Sequence, residues 1–448
     1  MISRWQWILG QTVRKLWFRT ALFAIAAVIT ALLSIVFKPM ISPSFSVKIG
    51  AEAVDNILNI LASSMLAVTT FSLSIMVAAY GSATTNVTPR ATLLVVEDVT
   101  TQNVLATFIG SFLFSLVGII ALNMGAYGEQ GRVILFAVTL VVIALILITL
   151  LRWIQHLTSL GRVGETTARV EKAALQSFIA RAKNPCLGGY PWLDRGVQPA
   201  GTKALYAESI GYVQHVDIAM LASLLEETGV HIYLLAEPGS YVHPARPALY
   251  ITDNAPPGLD QKLLSALSVG DTRSFSQDPR FCLCVTSEIA CRALSAAIND
   301  PGTVIDVIGR AVRVLSEYAR HMEKQSEVRY PNIHISPLTP EDLFDDFFAP
   351  VIRDSAAIRE VQIRLLKSLS MLDKGWPELY AKTARTYAER SMQYTRRVDY
   401  IDADRAMINN VYAQLFSDST GLEKATTARS SSTLNAMDKI TEADRERP

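Results

Sequence analysis

An α-helical membrane domain of four spans, followed by a cytoplasmic α+β region, is the fold class that the sequence predicts, and three observations predict it. Half of the 448 residues are hydrophobic and the mean hydropathy is +0.25, with the excess concentrated in the first third of the chain. Four apolar runs in that third hold no charged residue and are long enough to cross a bilayer: Thr20–Phe37, Ile57–Tyr80, Val104–Asn123 and Val133–Leu151. Beyond Leu157 the pattern changes to polar helix, then to Pro- and Gly-punctuated alternating stretches, then to helix again.

The elements follow in chain order. MISRWQWILGQTVRKLWFRT mixes Arg4, Arg14, Lys15 and Arg19 with Trp5, Trp7 and Trp17, as expected of a helix at headgroup level ahead of a span. A signal peptide is the rival reading, but Lys38-Pro39 follows the first apolar run without a small-residue cleavage site, so the run is expected to stay as the first span. Basic residues gather before the first span, at Arg90 after the second, and at Arg152, Arg162, Arg169 and Lys172 after the fourth. The opposite loops carry only Lys38, Lys48 and Arg132, so the positive-inside rule places both termini in the cytosol.

The expected domains are a transmembrane domain over 1–155, a helical stalk over 156–184 that continues the fourth span, a small β-rich module over 200–255, a helical domain over 256–416 and a disordered tail over 417–448. The break between stalk and module is NPCLGGYPWLDRG. In the module, DIAMLASLLEET reads as an inserted helix and HIYLLAEPGSYVHPARPALYI as strands with proline-marked turns. In the helical domain, Ile358, Val361, Leu365, Leu369 and Leu372 recur at helical spacing.

Composition also narrows the function. A net charge of +1 and pI near 7.7 give no electrostatic support to a nucleic-acid partner. The four cysteines, Cys186, Cys282, Cys284 and Cys291, form no C-x-x-C pair and read as reduced buried thiols. The six histidines show no metal-ligand spacing, so neither a metal nor another cofactor is expected.

The second run is rich in hydroxyls and small residues. At helical spacing Ser63, Ala67, Thr70, Ser74, Ala78, Gly81 and Thr85 share one stripe, which calls for a partner other than lipid: a helix–helix seam or the wall of a water-filled path. Pro89 disfavours helix at Thr88, so the helix is expected to end or kink there, leaving Arg90 near the inner mouth of that stripe. A snorkelling arginine is the favoured reading of Arg90 over an anion-attracting one. Ala106-x-x-x-Gly110 and Ser111-x-x-x-Ser115 in the third span are small-x-x-x-small pairs, of a kind that chance often supplies.

Farther on, Asp300 reads as the N-cap of a helix and Pro301 as its first residue, ahead of the stripe Val304, Val307, Ile308, Ala311 and Leu315. Glu288 and Arg292 are spaced as a helix-face pair. An enzymatic reading would recruit Asp278, Glu288 and Asp300 as a carboxylate cluster, but no phosphate loop, nucleophile elbow or metal spacing accompanies them, and no enzyme is expected.

EPGSYVHPARPALYI resembles the hairpin of biotinyl and lipoyl barrel-sandwich modules, without the lysine to which such carriers attach their cofactor. More widely, Asn86-Val87-Thr88-Pro89-Arg90 after the second span, S-I-G-Y-V-Q-H-V-D, P-G-S-Y-V, Q-D-P-R-F and A-L-S-A-A-I-N-D-P-G-T resemble the bacterial membrane-protein family known as domain of unknown function 2254. Thr85-Asn86-Val87-Thr88 stands where that family usually has a Gln-Phe-Ser-like stretch. The resemblance implies an integral inner-membrane protein and gives no activity. The residues favour a homo-oligomeric channel or transporter in the lipid bilayer, its cytoplasmic domain gating or assembling it; the alternative is a membrane-anchored scaffold or regulatory protein.

Overall fold

The computed structural model describes residues 51–416, apart from 97, 126, 159–160, 195–196, 227 and 323–326, and five isolated residues ahead of them. The expected tail over 417–448 lies outside the described residues, as does the first span over Thr20–Phe37 except for isolated positions. Among the described residues three helices, not four, are long and apolar enough to cross a membrane: Ala53–Thr85, Val99–Asn123 and Gly131–Leu157. The chain forms two compact units, one of Met1–Lys172, Gln198–Ile232 and Ala236–Thr272, the other of Ala173–Val197, Tyr233–Leu235 and Arg273–Pro448.

In the first unit α1 (Ala51–Asn86) stops where Pro89 requires it to, and a short α2 (Thr92–Val96) leads to α3 (Val99–Asn123) and α4 (Gly128–Leu157). The middle helix is the hub: 56 % of the α3 span is buried, against 17 % of those in α1 and α4. Its small residues explain this, since Ala106, Gly110, Ser111, Ser115 and Gly118 are all buried and let neighbours approach closely. A Cβ added at Gly118 would meet Leu58 Cδ1 at 3.1 Å and Leu135 Cδ1 at 3.7 Å. Leu61, Met65, Val104, Phe108, Ile146 and Trp153 form a second packed layer of the bundle. Inside a bilayer such packing, rather than escape from water, holds helices together.

The stalk is a separate helix rather than a continuation of the fourth span. α4 ends at Leu157, Gly161 adopts φ +78°, and α5 (Val163–Lys183) starts afresh. Glycine is required at that turn twice over, because a Cβ there would also lie 3.1 Å from the Ala79 carbonyl oxygen of α1.

After a short β1 (Gly189–Pro191), the β-rich part of the first unit contains β2 (Thr202–Tyr206), β3 (Gly211–Val216) and the inserted helix α6 (Ile218–Leu225), capped by Asp217. There follow β4 (Ile232–Leu234), of which only Ile232 belongs to this unit, then β5 (Tyr241–Val242), β6 (Pro247–Thr252), α7 (Leu259–Ser265) and β7 (Leu267–Gly270). The expected barrel-sandwich hairpin does not form as such. β5 pairs antiparallel with β3 (Gly211↔Val242), whereas β6 pairs antiparallel with β2 (Ala204↔Tyr250). The turn that was to close the hairpin therefore sends its two strands to different partners, and β3 takes β7 on its other side (Val213↔Val269).

The second unit pairs β1 in parallel with β8 (Tyr330–Ile335), includes Tyr233 and Leu234 of β4, and is helical over most of the rest. Its helices are α8 (Pro279–Ala293), α9 (Pro301–His321), α10 (Pro340–Asp354), α11 (Arg359–Gly375), α12 (Pro377–Thr395) and α13 (Asp402–Phe416). Val361, Leu365, Leu369 and Leu372 are buried as their spacing predicts, and Ile358 precedes the helix as its cap residue. Arg280 on α8 binds Asp346 and Asp342 of α10 at 2.7 Å each, tying the two helices.

Candidate functional site

The stripe of α1 is fully outward. Ser63, Ala67, Thr70, Ser74, Ala78, Gly81 and Thr85 are all exposed, while Val54, Leu58, Leu61, Met65, Ser72 and Ala83 are buried against the rest of the bundle. At 3.6 residues per turn the two sets lie on roughly opposite sides of the helix, and the stripe runs ~33 Å from Ser63 to Thr85, about the thickness of a hydrocarbon core. Each hydroxyl bonds back into its own helix: Ser63 Oγ donates to the Asn59 carbonyl at 2.9 Å, Thr70 to Leu66 at 3.0 Å, Ser74 to Thr70 at 3.0 Å and Thr85 to Gly81 at 2.9 Å. The donor of each of these hydroxyls is thus met within α1, and a hydroxyl oxygen has lone-pair capacity besides. Leu66, Phe71, Leu73 and Val77 flank it as exposed apolar side chains. Arg90 is exposed in the turn after Pro89, its backbone N–H 3.4 Å from Thr88 Oγ1.

At the end of the bundle where α1 finishes, a charged junction joins three helices. Asp98 is the N-cap of α3: its carboxylate accepts from the Thr101 N–H at 2.8 Å and from Thr101 Oγ1 at 2.6 Å. Arg169 Nη1 of α5 donates to Asp98 Oδ1 at 2.7 Å, and Arg169 Nε donates to Glu165 at 3.1 Å. His156, in the last turn of α4, brings Nε2 to 2.9 Å from Asp98 Oδ2, with Trp153 beside its ring. Burial alone would raise the Asp98 pKa; the Thr101 hydrogen bonds and Arg169 outweigh it and hold the carboxyl below its usual range. Only 11 % of the Asp98 side chain is exposed, so the anion is stable there because the N-terminus of α3 and Arg169 both face it. Sequence reasoning passed over this group. The available signal was an acid one residue before an apolar helix, with Thr three positions on.

The remaining sequence-level residues are structural where the contacts show their role. Asp300 caps α9, accepting from the Thr303 N–H at 3.0 Å and from Thr303 Oγ1 at 2.6 Å, with Pro301 in the first turn. Asp278 caps α8 and holds Arg273 at 2.7 and 2.9 Å. The carboxylates Asp278, Glu288 and Asp300 are not brought together: ten helical residues separate the first two by ~15 Å, and the Asp300 N–H binds Ala293 at the far end of α8. None of the four cysteines is in a disulfide. Burial, with Asp346 and Asp354 nearby, pushes Cys284 and Cys291 each up to about 12, which leaves no thiolate at neutral pH. Among the described residues no group of three His, Cys, Asp or Glu is placed to hold a metal.

Long apolar helices joined at a charged junction to an α+β region define a helical membrane protein. The chain belongs to the family described as predicted membrane protein (DUF2254), whose model matches residues 13–371, and this bears out the resemblance carried by the Pro-Arg turn and the Ile-Asn-Asp-Pro phrase. It is similar to the uncharacterized proteins Mb1321c of Mycobacterium bovis and Rv1290c of Mycobacterium tuberculosis, each 29 % identical over 252 residues that cover 53 % of this chain and 47 % of the relative. The chain thus aligns with about half the length of these curated relatives. No solved structure matches it.

Proposed function

We propose that the chain is a multi-pass protein of the bacterial inner membrane that assembles as a homo-oligomeric channel or transporter, without enzymatic activity, with the polar face of α1 turned to the oligomer axis. The observation that carries this reading is the outward placement of Ser63, Thr70, Ser74, Gly81 and Thr85, opposite the face that packs on α3. Lipid gains little from a face of hydroxyls and small residues, whereas water or a second copy gains close approach and hydrogen bonds. A path along that face needs several copies, because a single α1 can form only part of a wall. Arg90 follows the end of α1, Arg152 lies in the last turns of α4, and Arg162, Arg169 and Lys172 follow α4, whose end meets the Asp98 junction, which supports cytosolic termini. The α+β region then serves as the gating or assembly element.

A membrane-anchored scaffold is the second reading, and the back-bonded hydroxyls favour it, since they allow the stripe to be a plain packing seam. Oligomeric state in detergent, measured together with solute flux in liposomes, separates the two. An oligomer with flux that Thr70→Leu or Ser74→Leu blocks without dissociating it supports the channel. An oligomer that these changes break, with no flux from the intact protein, supports the scaffold.

A further inference from the structure

The second unit holds a cavity of about 300 Å³ between the end of α5, the turn before β1 and the start of β8. Lys183, Asn184, Cys186, Gly189, Glu327 and Arg329 are among the residues that line it. Two cations and one carboxylate leave this lining with a surplus of positive charge, and neither Lys183 nor Arg329 forms an ion pair among the described residues. The turn from Cys186 to Gly189, which lines the cavity through Cys186, Gly188 and Gly189, is an unusual piece of backbone. Cys186 and Leu187 are consecutive non-glycine residues at φ 51° and 55°, and both are buried. Left-handed backbone is disfavoured for such residues, and two in a row persist only where the surroundings fix them. Gly189 shows how tightly they are fixed, since a Cβ there would come within 2.4 Å of the Ile333 carbonyl oxygen. The Arg329 N–H donates to the Gly188 carbonyl at 3.0 Å, which anchors the strand carrying the second cation to the same turn.

We propose that this cavity binds a small polar molecule bearing a phosphate or carboxylate group. Lys183 and Arg329 would hold the oxyanion, Arg329 in the forked geometry suited to it, and Asn184 and Glu327 would meet the ligand's donors and acceptors. A volume of this order suits a compact metabolite rather than a macromolecule. The proposal is independent of whether the spans conduct.

The test uses the full chain in a detergent free of anionic lipid, titrated by calorimetry with pyrophosphate and separately with citrate. Saturable binding at one site per chain by either probe is expected, weakened about tenfold in Lys183→Gln and again in Arg329→Gln, as for loss of one charge-assisted hydrogen bond each. Both residues are exposed, so the variants should fold as the parent does. Asn184→Asp, which adds a negative charge to the lining, should weaken binding while leaving thermal unfolding unchanged. Absence of saturable binding by both probes, or equal affinity in the Lys183→Gln, Arg329→Gln double variant, would overturn the proposal. Binding seen only with phosphatidylglycerol nanodiscs would overturn a soluble ligand and assign the cavity to a lipid headgroup.

Discussion

Replacing Asp98 tests the junction that ties α3, α4 and α5 together. The carboxylate does two separable things: it caps α3 through Thr101, and it compensates Arg169, whose side chain is only 17 % exposed. An N-cap contributes about 1 kcal/mol, and a hydrogen bond to a charged partner about 2 kcal/mol. Asp98→Ala therefore costs about 3 kcal/mol, while Asp98→Asn, which still caps, costs about 2 kcal/mol. Arg169→Ala costs a similar ~2 kcal/mol, and the double variant with Asp98→Ala falls short of the sum because the two share one interaction. Equilibrium unfolding in mixed micelles titrated with a denaturing detergent reads these values. The pH profile adds a second check. Asp98 is held below its ordinary value of 3.8 in the folded protein, so its contribution is complete above that value and is lost as the pH falls through the lower folded value. Asp98→Asn should flatten that acid limb. Additive energies in the double variant, or an Asp98→Asn protein as stable as the parent, would refute the assignment of a coupled charge pair.

Three further outcomes follow from the same geometry. Asp300→Ala should destabilise α9 locally by about 1 kcal/mol, seen as faster amide exchange in its first turn, while Asp300→Asn and Asp300→Ser stay near the parent because both cap well. Gly118→Leu should prise α1 from α3, since even a Cβ at that position reaches Leu58 at 3.1 Å, and should lower the thermal stability of the spans more than Gly81→Leu, where a Cβ meets nothing within 4 Å. For topology, a lone cysteine at Ser44 or Gly128 should react with a membrane-impermeant thiol reagent added to intact cells and one at Ser430 should not; labelling at Ser430 would reverse the orientation.

What the sequence disclosed depended on how local the cause was. The helices of the second, third and fourth apolar runs are legible because each needs only an unbroken apolar run, and the end of α1 because Pro89 acts on its immediate neighbour. The Asp300 cap is read from four consecutive residues. The Asp98 junction is not legible in that way, since Arg169 and His156 reach it across 71 and 58 residues of chain. The separation of α5 from α4 turned on a single glycine, Gly161, whose left-handed φ and contact with Ala79 exist only once the helices are packed. The split of the expected hairpin arose from strand pairing, where β3 and β2 competed for neighbours and local turn chemistry did not decide. In the bundle the hydroxyl stripe of α1 drew attention by its length, yet the small residues of α3 do the packing, because their partners Leu58 and Leu135 lie on two other helices.

The most direct test of the outward polar face is a cysteine scan from Ser63 to Thr85 in the assembled protein, made in a background without Cys186, Cys282, Cys284 and Cys291 and probed with a small hydrophilic thiol reagent. A face turned to a water-filled oligomer axis predicts reaction at Ser63, Ala67, Thr70, Ser74, Ala78, Gly81 and Thr85, with silence at flanking Leu66, Leu73 and Val77. Silence along the whole stripe in a protein that still assembles would contradict the path and leave α1 as a seam.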